Sequence, residues 1–138
     1  MADPLPRASA DPIGGLGERL GLLLAEHPDV VDYLGRSLVT GTEVGASVFD
    51  RLAAIGIQRW AEVKKNDLNR PDLDDTWCVL NPLILVLGTI LLREHVERQL
   101  PDSFTSEAQL QRWQRAFNQL VVSGQLQLNG SRNGRSDD

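Results

Sequence analysis

A chain of 138 residues has room for one domain, and a domain of that size buries about two-thirds of the surface its unfolded form exposes, enough for a core without staples. One cysteine excludes an internal disulfide, two histidines leave no Cys–His zinc spacing, and 41% hydrophobic with 24% charged residues are ordinary globular proportions. The net charge is −5, the only adjacent lysines are Lys64 and Lys65, and the twelve arginines stand singly, so this chain is not expected to touch nucleic acid itself.

Residues 1–11 are rich in Pro, Ala and Asp and read as a flexible lead-in without a signal-peptide core. Asp11 before Pro12 is an N-cap acceptor followed by a first-turn proline, which predicts a helix from 12 to about His27. Its apolar face is Ile13, Leu16, Leu20, Leu23 and Leu24. Gly14, Gly15 and Gly17 are not a phosphate loop, since no strand precedes them and no GK[ST] follows. Pro28 opens a second helix, with Asp29 and Asp32 opposing the positive end of its dipole and Gly41 ending it. Thr42 caps a third, running to about Asn66 and closing on Lys64 and Lys65.

After a turn at 69–72, a fourth helix is predicted from 74 to 99. Its middle, 79–92, is apolar nearly all round, the mark of a helix covered on several sides. Pro82 removes one backbone hydrogen bond and predicts a kink. The run 78–92, interrupted by Asn81-Pro82, falls short of the roughly 20 residues that span a bilayer. Pro101-Asp102 breaks the chain, and Ser106 with Gln109 at capping-box spacing opens a fifth helix over 106–123. Residues 129–138 are polar and Gly/Ser-rich, which predicts a disordered tail. The expectation is therefore an all-α domain of about five helices over 12–128.

No catalytic or metal-binding constellation stands out, so neither an enzyme nor a cofactor is expected. His27 and His95 lack metal-type spacing, and each ends a helix, where an imidazole commonly meets free carbonyls. Cys78, between Trp77 and Val79, reads as an inert small hydrophobe. The acidic groups Asp29-Asp32 and Asp72-Asp74-Asp75 sit at helix starts, where capping explains them. Asn81-Pro82 places a donor and an acceptor in an apolar wall, which suits either a binding pocket or simple satisfaction of the kink.

The words HPDVVDYLGRSLVTGTEVGASVFDRL, GIQRWAEV, RPDLDD and NPLILVLGTILL, with QRWQRAFNQLVVSGQL near the end, resemble the C-terminal regulatory domain of tetracycline-repressor-like (TetR) transcription factors. The resemblance implies a helical effector-binding and dimerisation domain whose last two long helices, about 74–99 and 106–123, pair into a four-helix dimer bundle. Leu85, Leu92, Leu110, Trp113, Phe117, Leu120 and Val121 are the expected interface. A small apolar effector is expected among the other helices, lined by Tyr33, Phe49, Trp60, Trp77 and Asn81. The family reads DNA through an N-terminal helix-turn-helix, and here only about eleven irregular residues precede the first helix. The expected protein is thus a cytoplasmic homodimer with no membrane contact, meeting DNA only through a head that this chain lacks. The competing reading is a headless homodimeric interaction protein without an effector.

Overall fold

In the computed structural model, which describes residues 16–127, every regular element is a helix. In chain order they are α1 (Leu16–Glu26), α2 (Pro28–Thr40), α3 (Glu43–Lys65), α4 (Asp75–Leu91), α5 (Arg93–Glu97) and α6 (Glu107–Gln125). The predicted lead-in, the helix start at Asp11-Pro12 and the predicted tail lie outside the described residues.

Local signals explain most boundaries. Pro28 sits in the first turn of α2, where its missing N–H costs nothing. Gly41 leaves that helix at φ 71°, a left-handed conformation that glycine adopts without a Cβ penalty. Thr42, Asp74 and Ser106 cap α3, α4 and α6 by accepting from the N–H of Gly45, Trp77 and Gln109. At Ser106 the capping box is half made, because the Gln109 amide turns to Arg112 instead of reaching back (Nη1 to Oε1, 2.9 Å). The last helix, expected to end at 123, passes through Gly124 and runs on to Gln125 as α6.

The predicted helix 74–99 is corrected into α4 and the short α5, broken at Leu92 (φ −101°, ψ 16°). The cause is tertiary. Arg93 pairs with Asp32 of α2, and its other guanidinium nitrogen donates to the carbonyl of Ile90 at 3.1 Å. That carbonyl also receives the N–H of Leu92. It is the acceptor that Glu94 would need for the helix to continue.

The 66–74 connection is bound to the end of α6. Arg70 N–H donates to Gln125 O at 3.0 Å, Gln127 N–H to Leu68 O at 2.7 Å, and Arg70 Nε to Ser123 O at 2.8 Å. Three apolar clusters make the core. One joins α3, α4 and the chain after α6 (Trp60, Val63, Cys78, Val79, Leu126). A second joins α4 to α6 through Val86, Phe117 and Val121. The third gathers Leu24, Val31, Ile90 and Phe104 from α1, α2, α4 and the connection before α6.

Candidate binding groove

The sharp α2–α3 corner sets the two helices side by side, and the second half of α4 runs along both. Between the three lies an open groove of about 490 Å³. Leu38 and Val39 come from α2, Ala46 and Phe49 from α3, and Ile84, Leu87, Gly88 and Leu91 from α4, with Asp50 the one carboxylate on its wall. A volume of that order lies within the range of small-molecule sites, and the lining is apolar as such sites usually are. A second, apolar space between α1, α2, α3 and α4, lined by Leu20, Leu34, Val48, Leu52 and their neighbours, measures only about 40 Å³. It has room for little more than one water.

Of the five side chains expected around an effector, the groove contains Phe49. Trp60 is buried in the core, 6% exposed, with its indole N–H donating to Asp75 Oδ1 at 2.8 Å. It stands eleven residues beyond Phe49, roughly 16 Å along α3. Tyr33 and Trp77 are half exposed, and Asn81 is exposed on the outer side of α4. Three helices form the wall that was expected, but Tyr33 lies on another face of α2, while Trp60, Trp77 and Asn81 share a face with groove residues and lie further along their helices, beyond its end. Leu38, Ile84, Leu87 and Leu91 were missed, although the i, i+3, i+7 spacing on α4 and the Gly41-Thr42 corner were signals that could have found them.

The expected interface residues divide. Leu85, Leu92 and Leu120 are exposed. Phe117 and Val121 are instead buried within the chain against Val86, and Trp113 and Leu110 pack on the core. The inward stripe of α6 is therefore used up by the monomer.

The titratable groups describe structure more than chemistry. Asp75 accepts from Lys64 Nζ (2.8 Å) and from the Trp60 indole, and these bonds hold its carboxyl below the ordinary carboxylate value. A depressed folded-state pKa contributes stability that is complete above the unfolded value, near 3.9, and is lost as pH falls through the folded value. Acidification below about pH 4 is therefore expected to weaken the fold and shift tryptophan emission. Asp75→Asn, which keeps an oxygen for the indole but no charge, should flatten that part of the stability–pH curve; parallel curves for both proteins between pH 2 and 5 would refute the assignment. Burial pushes the Cys78 thiol up, with Asp75 and Asp74 adding to it, so it is held as an unreactive thiol. His95 Nδ1 faces the guanidinium of Arg98 at 2.7 Å and not a carbonyl, and His27, at the N-cap of α2, makes no side-chain capping bond.

Among the described residues, no cluster of three His, Cys, Asp or Glu side chains could hold a metal ion. No helix among them is long and apolar enough to cross a membrane. No family model, no curated protein and no solved structure matches this chain.

Proposed function

We propose that this chain is a helical dimerisation module, the regulatory half of a TetR-like regulator, acting by binding and not by catalysis. The observation that carries the reading is the outer face of α4. Trp77, Ile84 and Leu91 repeat every seven residues on it, with Leu85 and Leu92 beside them, and all five are at least 38% exposed. Not one charged residue occurs from 77 to 92. The stripe extends for roughly 21 Å of helix, and exposed apolar surface of that continuity marks an interaction site. A second copy of the chain is the occupant, because a two-fold axis lays this stripe on itself and leaves no charge opposed. A Cβ added at Gly88 would meet nothing within 4 Å, so a partner helix has room to approach there. DNA contact would belong to a helix-turn-helix unit, and the cytoplasm is the compartment this reading assigns.

Sedimentation equilibrium at micromolar concentration is expected to give twice the 15.2 kDa chain mass. Ile84→Glu combined with Leu85→Glu should give monomers of unchanged helicity, since an unpaired charge at such an interface costs about 3–5 kcal/mol. A wild-type protein that stays monomeric would overturn the proposal.

The groove, which shares Ile84, Gly88 and Leu91 with the stripe, supports an effector-binding role over a purely structural one. An uncharged apolar dye such as Nile red is expected to bind there, and Phe49→Asp to abolish that binding while leaving the dimer intact. Dye binding unaffected by Phe49→Asp would leave the module without an effector.

A further inference from the structure

On the other side of the molecule a second groove, of about 370 Å³, runs between the end of α4, α5, the 98–106 connection and α6. It differs in character from the apolar groove. Its floor is hydrocarbon and aromatic: Val96 and Leu100 pack against the cluster of Phe104, and Phe104 meets Trp113 edge to face with ring centroids 5.3 Å apart. Its α6 wall carries Gln109, Arg112 and Arg115, and no Asp or Glu lines it.

Gln109 is the notable group. It is 4% exposed, one of only two buried polar residues among those described. A buried amide is costly unless its donors and acceptors are used. Its Oε1 accepts from Arg112 Nη1 at 2.9 Å, which fixes that guanidinium on the groove wall; the amide's Nε2 donors are not used by this bond. Arg115, one turn further on, makes no ion pair among the described residues. Two guanidiniums thus share one groove in a chain whose net charge is −5, with no carboxylate in the lining to neutralise them. Guanidinium forks suit planar carboxylates, and the aromatic floor suits an aliphatic body.

We propose that this groove binds an amphipathic carboxylate, a medium-chain fatty acid, with the carboxylate on Arg112 and Arg115 and the alkyl chain over Phe104 and Trp113. This site is separate from the α4 stripe and from the groove at Phe49, and its occupation does not depend on dimer formation.

Calorimetric titration of the full chain with decanoate, kept below its micelle-forming concentration, tests this. Saturable binding of one decanoate per chain is expected, with decanol (the same tail without the charge) and acetate (the head without the tail) each binding at least roughly tenfold more weakly, the size of one charge-assisted hydrogen bond. Arg115→Gln removes a side chain with no ion pair to lose, so it should fold as the wild type does and still weaken decanoate by roughly tenfold, with Arg115→Lys recovering part of the loss. Arg112→Gln should show a similar loss. Phe49→Asp should leave decanoate binding unchanged. Equal affinity for decanol and decanoate, indifference to Arg115→Gln, or loss of binding in Phe49→Asp would each overturn the proposal, the last by relocating the ligand to the other groove.

Discussion

Gly45→Ala is expected to lower the unfolding midpoint of this protein by on the order of 10 °C, equivalent to about 3 kcal/mol for a chain of this size. A Cβ at Gly45 would lie 2.1 Å from Ser37 O and 2.4 Å from Ser37 C, both backbone atoms. A flexible side chain could swing aside, but this carbonyl is held in place. It accepts from the N–H of Gly41 (3.1 Å), the N–H of Thr42 (3.2 Å) and the Thr42 hydroxyl (3.4 Å). Pushing it away would dismantle the end of α2 and the cap of α3 together. The comparison is Gly124→Ala, where an added Cβ meets nothing within 4 Å inside a helix. That change should stabilise by up to about 1 kcal/mol, because alanine loses less backbone freedom on folding. Thermal unfolding of both variants by circular dichroism decides the matter, and a Gly45→Ala midpoint at or above wild type would contradict the packing at the α2–α3 corner.

Phe104→Ala should cost about 3–5 kcal/mol, the range for removing a buried aromatic side chain. Phe104 is 2% exposed and stands among Leu24, Val31 and Ile90, so one ring joins α1, α2 and α4. Its own backbone is anchored as well, since its N–H donates to Glu97 Oε2 at 2.8 Å, and Ser103 Oγ donates to the same oxygen at 3.2 Å. The ring is therefore held by the connection and does not slide out with it. Urea titration should show the midpoint falling with little change in slope, as expected for lost stability without a change in the surface exposed on unfolding. A loss under about 1 kcal/mol would mean that the site collapses and that its neighbours refill the space.

The stretches that read correctly are those whose determinants lie within one turn of each other. Pro28, Gly41, Thr42, Asp74 and Ser106 set helix ends through their own backbone or a hydroxyl three residues away, so their roles are visible in the chain order. The apolar character of α4 and the inward stripe of α6 were equally legible, being periodic. What the stripe faces was not. Phe117 and Val121 carry the same pattern whether the partner is Val86 of the same chain or a second subunit, and the structure gives them to Val86.

By itself, then, the sequence determined an all-α chain, the corners at Gly41-Thr42 and before Ser106, and the absence of charge from the 77–92 face. Only the tertiary structure decided three further things. It stopped α4 at Leu92, because Arg93 is drawn to Asp32, sixty-one residues away in the chain. It placed Phe104, which belongs to no helical stripe, at the centre of a core cluster. It also ended the groove short of Trp60: Phe49 and Trp60 share one face of α3, but at Trp60 that face is closed by Cys78, Val79 and Leu126. The physical reason is the same in each case: helix periodicity fixes which residues share a face, about 100° per residue, but what that face meets and where the helix stops are set by neighbours distant in sequence.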